Sequence, residues 1–205
     1  MTRNGSSSYR PPARTTMRPI SIPRRWLALA VGMMALMLVC TQPARSDSFS
    51  EYQVKAVFLY NLINFVEWPE PSFHTAEPLF TIGILGPNPF GRELAHTVAN
   101  ETVHDRAIRI VHYTDPAELD QQPCQLLFVT IGLDQAWADL RVKLASKSIL
   151  SVSDQDGFAD QGGMINLLTT GNRIQLEINL DNARQAGLNI SSKLLNLARV
   201  VSQAQ

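Results

Sequence analysis

The hexapeptide Gly86-Pro87-Asn88-Pro89-Phe90-Gly91 follows a short apolar run and precedes a helical pattern. That is the setting, and the glycine spacing, of a phosphate loop. Such a loop needs Lys and then Ser or Thr after its second glycine, to reach the phosphates and Mg²⁺. Arg92 and Glu93 stand there instead, and two prolines remove amide donors that the cradle would use. A shaped turn is expected, not a nucleotide site. His74, His96, His104 and His112 form no HExxH pattern and no close i, i+4 pair, and no Cys accompanies them at ligand spacing. No metal and no other cofactor is therefore expected. No Gly-x-Ser-x-Gly occurs. Ser153-Asp154 and Ser191-Ser192 read as turn and cap residues. Glu67, Asp154 and Glu177 cannot be paired as acid and base from their spacing. No catalytic set emerges, and the chain is not expected to be an enzyme.

What remains is suited to recognition. Gly162-Gly163 can bring bare backbone close to a ligand, or can make a bend that leads into a strand. Trp68, Phe73 and Phe158 stand in polar, Pro- or Gly-rich surroundings. They read either as anchors for a partner, since aromatics concentrate at interface centres, or as plugs at the edge of the core. Cys124 abuts the apolar run Leu126-Leu127-Phe128-Val129 and reads as a buried small apolar residue, with an intermolecular disulfide as the alternative.

The N-terminus has the three regions of an export leader in order. Arg18, Arg24 and Arg25 precede Leu27 to Val39, 13 apolar residues, too short to span a bilayer. Ala44 and Ser46 are small residues at −3 and −1 of a cut before Asp47. Residues 1–46 are thus expected to be a signal peptide with a disordered Ser-, Arg- and Pro-rich extension, and Met17 is an alternative start. Cys40 as a lipid attachment site is disfavoured by Val39 before it. Of the 18 Lys and Arg, seven are Arg before Asp47, where no Asp or Glu stands; 11 basic residues remain against 18 acidic. An acidic domain without a basic run is not expected to bind nucleic acid or an anionic membrane surface.

Residues 47–205 suffice for a single domain. Helices are predicted over 50–67, 89–99, 134–146, 181–186 and 192–201; Ser50 and Asn88 are the expected caps of the first two, Trp68-Pro69 ends the first, and Trp137, Leu140 and Leu144 share one face of the third. Strands are predicted over 80–85, 108–112, 126–131, 149–152, 164–168 and 173–180. The third is almost wholly apolar and belongs mid-sheet. The last two form a hairpin through Gly171-Asn172. Strands alternating with helices predict an α/β layered sandwich. Its central sheet is largely parallel, with helices on both faces and a late antiparallel hairpin.

Three stretches form one ordered pattern. The first is Tyr52-Gln53-Val54-Lys55-Ala56-Val57-Phe58-Leu59-Tyr60-Asn61, continuing through Phe65-Val66-Glu67-Trp68-Pro69. The second is Ile82-Gly83-Ile84-Leu85-Gly86 with Pro89-Phe90-Gly91. The third is Val152-Ser153-Asp154, Phe158 and Gly162-Gly163-Met164-Ile165, then Ile178-Asn179-Leu180 and Gly187 to Leu195. Together they resemble the YfiR family of periplasmic proteins, and the resemblance implies a periplasmic regulator that binds the periplasmic portion of an inner-membrane diguanylate cyclase or sensor protein and holds it inactive. Cyclic di-GMP and biofilm would be lowered, and the protein would be a homodimer. Family members that respond to redox carry disulfide pairs in the mature domain; with Cys124 alone this chain cannot copy an intramolecular switch. Partner contacts are expected in the segment Phe158 to Ile165: Phe158 as apolar anchor, Asp160 as charged rim, with Gly162, Gly163 and Ile165 completing it. The competing expectation is a periplasmic small-molecule binding protein acting on a sensor kinase or transporter.

Overall fold

The computed structural model describes residues 51–73, 79–171 and 173–202, which belong to one compact unit, Asp47–Gln205. The expected leader, Cys40, the two candidate starts, Ser50, His74 and Asn172 lie outside the described residues. In chain order the elements are α1 (Glu51–Ile63), β1 (Val66–Glu67), a 3-10 turn (Glu70–Ser72), β2 (Phe80–Leu85) and α2 (Glu93–Thr97). Next come β3 (Thr102–Val103), β4 (Arg106–Tyr113), α3 (Glu118–Gln121), β5 (Leu126–Val129), α4 (Asp134–Leu144) and β6 (Leu150–Ser153). The remainder is β7 (Ile165–Thr170), β8 (Arg173–Asn179), α5 (Leu180–Gln185), β9 (Asn189–Ile190), α6 (Ser192–Leu195) and β10 (Arg199–Val201).

Eight strands form one sheet in the order β10-β8-β7-β6-β5-β2-β4-β3. The run β4-β2-β5-β6-β7 is parallel. The β7–β8 hairpin is antiparallel from Ile165↔Ile178 to Thr170↔Arg173. Alternation along the strands divides the core between two faces. Ile82, Ile84, Leu126, Phe128, Val152 and Ile165 pack with α1, α2, α5 and α6. Leu85, Leu127 and Val129 pack with α3 and α4, where Trp137, Leu140 and Leu144 form the inner stripe of α4. This is the layered α/β sandwich that the alternation of periods predicts, and β5 lies mid-sheet as its apolar run requires.

Three predicted helices are shorter in the structure. The first stops at Ile63 because Val66 and Glu67 pair with Ile190 and Asn189, and the Ser191 amide donates to the Phe65 carbonyl. The second begins only at Glu93. Asn88 builds a turn instead of a helix cap: its Oδ1 accepts from the Phe90 amide at 2.9 Å and its Nδ2 donates to the Gly91 carbonyl at 3.0 Å. The last ends at Leu195, and residues 199–201 form β10, parallel to β8. Val200 and Val201 suit a strand, and the free edge of β8 supplies partners that a local helical pattern does not reveal.

Candidate functional site

In open α/β sheets, ligands commonly bind beyond the carboxyl ends of two strands whose following helices go to opposite faces. Here those strands are β2 and β5. Their loops are packed directly against each other. A Cβ on Gly86 would sit 2.4 Å from Thr130 Oγ1 and 2.8 Å from Leu133 Cδ1. Thr130 closes the seam, its amide and its hydroxyl both donating to the Leu85 carbonyl at 3.2 and 3.0 Å. The loop that resembles a phosphate cradle sends Phe90 inward, edge-on to Phe128 at 4.8 Å and to Tyr52 at 5.6 Å. It is a plug and a turn, as its prolines and missing Lys predict.

The richest polar arrangement lies at the carboxyl end of β6. Lys55, on the inner face of α1, places Nζ 2.7 Å from Asp154 Oδ2 and 2.5 Å from Glu51 Oε1. The Lys55 and Asp154 side chains are only 3% and 1% exposed, so this ion pair is dry. Nζ also lies 4.9 Å from the centre of the Tyr52 ring. Burial, and then the neighbouring Asp154 carboxylate, push the Tyr52 phenol up to about 12. The hydrogen bond from Lys55, then that from Thr169, hold the Glu51 carboxyl below the usual range. This network fastens α1 to the sheet where the segment 154–164 leaves it.

That segment crosses from β6 to β7 without regular helix and contains most of the expected partner residues. Phe158 is 1% exposed and turned inward, with its ring 4.5 Å from that of Trp137. Each glycine has its own reason to be glycine. Gly162 has φ 93°, a conformation costly for other residues. Gly163 lies so close under Phe158 that a Cβ there would be 2.2 Å from the ring. Ile165 is fully buried in β7. Asp160 and Gln161 are exposed at the crest. Side chains from α4 and from the start of α5 hold the crest: Trp137 Nε1 donates to the Gln161 carbonyl at 3.3 Å, Asn179 Nδ2 to the Ala159 carbonyl at 3.0 Å, and Asn182 Nδ2 to the Gly162 carbonyl at 2.9 Å. The structure thus places Phe158, Asp160, Gly162 and Gly163 in one braced loop and Ile165 at the start of β7, into which the loop leads. It gives Phe158, Gly163 and Ile165 inward places and leaves Asp160 outward.

The other aromatic candidates line the opposite side of the domain. Trp68 is nearly buried, donates from Nε1 to the Gln125 carbonyl at 3.1 Å and meets Phe80 edge-on. Phe73 is half-buried under the Arg106 guanidinium at 3.9 Å. Cys124 is buried against Gly83 and Tyr113, and burial pushes its thiol up to about 12, so it sits as the small apolar residue that its setting predicts. Among the described residues no three His, Cys, Asp or Glu side chains gather as a metal site. No helix of the described residues is long and apolar enough to cross a membrane.

Sequence reasoning singled out the segment but missed the side chains that brace it. Trp137, Asn179 and Asn182 lie up to 24 positions away in the chain. Only the helical spacing of Trp137 with Leu140 and Leu144 pointed inward. Lys55 was likewise hidden, a charge within an apolar helical pattern whose partner is 99 residues on. Compared with known protein families, residues 52–199 match the one described as YfiR/HmsC-like. Among curated proteins, none matches the chain.

Proposed function

Because the chain belongs to the YfiR/HmsC-like family, we propose that it is a periplasmic regulatory protein that binds the periplasmic portion of an inner-membrane signalling protein. The partner is a diguanylate cyclase, and binding holds it inactive and lowers cyclic di-GMP. Family membership is the observation that carries this reading. On this reading the protein does no chemistry. It acts by population shift: preferential affinity for the partner's inactive state lowers the active fraction by that ratio of affinities. Residues 1–46 serve as the cleaved signal peptide and 47–205 as the working domain.

The partner surface on this reading is the braced loop of residues 158–165. A loop held by three side-chain hydrogen bonds loses little conformational freedom on binding. Phe158 shapes it from below, and Asp160 at the crest meets the partner. The test is cellular cyclic di-GMP in a strain deleted for the gene. Deletion should raise the level, and the exported wild type should restore it. An unchanged level on deletion, across several growth conditions, would end the cyclase reading. Asp160→Arg, an exposed change expected to alter stability by no more than about 0.5 kcal/mol, should weaken partner binding roughly tenfold and restore the level only in part. Full restoration by Asp160→Arg would remove Asp160 from the contact.

The working form is proposed to be a homodimer. Val54, Val57 and Phe58 are 36–45% exposed at helical spacing on the outer face of α1, an apolar stripe suited to a second copy. Sedimentation of the purified domain should give twice the chain mass, falling to one on Val57→Glu; a monomer at micromolar concentration refutes this. A second reading, a small-molecule binder acting on a sensor kinase or transporter, draws support from a cavity beside α4.

A further inference from the structure

On α4, Trp137, Arg141, Leu144 and Ala145 follow one another at i, i+4, i+7 and i+8, so they share one stripe. The stripe is apolar except for Arg141. It forms one wall of a cavity of about 220 Å³, whose other walls include Ser151, Met164 and Asn182. Positions 138 and 145, three before and four after Arg141, are both Ala, and position 144 is Leu, so the helix offers it no acid. Arg141 makes no ion pair or hydrogen bond with any described residue, whereas Lys55, Lys147 and Arg199 are each paired with a carboxylate. Ser151, buried on the floor, accepts from the Met164 amide at 3.1 Å. It donates to no described residue. The cavity thus joins an apolar wall to one unpaired guanidinium and one buried hydroxyl donor.

We propose that this cavity is a binding site for a small monocarboxylate with an apolar body. A planar guanidinium matches a carboxylate by paired hydrogen bonds. The indole, Leu144 and Met164 take the hydrocarbon. Volume sets the size. At about 30 Å³ of liquid per water, the cavity equals roughly seven waters and suits on the order of eight non-hydrogen atoms. It lies below the roughly 300 Å³ at which pockets for larger ligands begin, which excludes nucleotides. A single cation favours a monoanion over a phosphate ester carrying close to two charges.

The site is coupled to the braced loop by shared side chains. Trp137 is at once a wall of the cavity, the ring against Phe158 and the donor to Gln161. Asn182 is a wall and the donor to Gly162. A ligand resting on Trp137 and Asn182 restrains both, and so restrains residues 158–163. The binding site stands apart from the regulator reading; an effect on partner affinity rests on that reading.

The test uses the purified domain with hexanoate, its neutral isostere hexanamide, and hexyl phosphate. Hexanoate at about ten times its Kd should raise Tm by roughly 3 °C and slow amide exchange across residues 158–163. Hexanamide should bind at least about tenfold more weakly, and Arg141→Gln should weaken hexanoate binding by a similar factor. Arg141 is exposed, so that variant keeps its fold. No hexanoate binding with a Kd below about 10 mM, equal binding by Arg141→Gln, or tighter binding of hexyl phosphate would each overturn the assignment. Binding without slowed exchange at 158–163 would overturn the coupling. None of these readouts involves cyclic di-GMP, so a failed cyclase reading leaves the site untouched, and the reverse.

Discussion

Lys55→Met is expected to destabilise the domain by about 3–5 kcal/mol, because it leaves the Asp154 carboxylate buried without its cation. Asp154 has no route to water: its side chain is 1% exposed, and Lys55 lies 2.7 Å from it. Glu51 is the lesser member of the trio, since its side chain is 48% exposed and solvent can replace the lysine there. For a domain of this size the loss corresponds to a fall in Tm of roughly 10 °C. The informative partner is the double variant Lys55→Met with Asp154→Leu. Exchanging a dry ion pair for apolar side chains of similar volume is often neutral or stabilising. The pair should therefore recover most of the loss, with a coupling energy of about 2 kcal/mol or more. Urea unfolding of the four proteins measures it. A single variant that costs less than about 1 kcal/mol would mean that water reaches the carboxylate in solution.

Phe158→Ala should cost about 3–5 kcal/mol, the range for removing a buried aromatic ring from a packed site. The ring fills the space between Trp137 and the backbone of Gly163, so its loss opens a void under the crest. Gly163→Ala offers the complementary change. Its new Cβ, 2.2 Å from the Phe158 ring, forces ring or backbone aside and should cost about 1–3 kcal/mol. The two effects should not add. With Phe158 replaced by Ala, the clash at position 163 disappears, and Gly163→Ala should cost under about 1 kcal/mol. Simple additivity would show that the loop in solution is not packed as described. Amide exchange at residues 159–162 should accelerate in Phe158→Ala, since those amides lie over the void.

Local period carried most of the architecture in the sequence. The partly β-branched run 80–85 and the apolar run 126–131 announce central strands, the second of which ends at Val129 in the structure, and Trp137, Leu140 and Leu144 announce the inner stripe of α4. What period could not reveal depends on remote partners. β1 and β9 are two residues each, and each exists only because the other is there. Residues 199–201 continue a helical pattern yet join the sheet, because β8 offers an open edge. Asn88 looked like a cap but completes a turn through its own side chain. At the candidate site, the glycine pair and Phe158 were visible by type and position. Whether Phe158 pointed outward or inward was not, since that is set by Trp137 and Gly163 closing on the ring from two elements. The unpaired state of Arg141 was hidden for a similar reason: charge balance is local in space, not in sequence.

The strand order has one more consequence. Once β2 and β4 have paired, every later strand of the sheet adds to an edge that is already present: β5 on β2, then β6, β7, β8 and β10 in turn. A chain that emerges N-terminus first, from a ribosome or an export pore, can therefore lay down this sheet in the order of its appearance, and no later strand of it waits for one not yet made. The opening helix and β1 must wait. Lys55 finds Asp154 after β6 has emerged, and β1 finds β9 later still. The elements that open the domain are thus among the last to be locked in place.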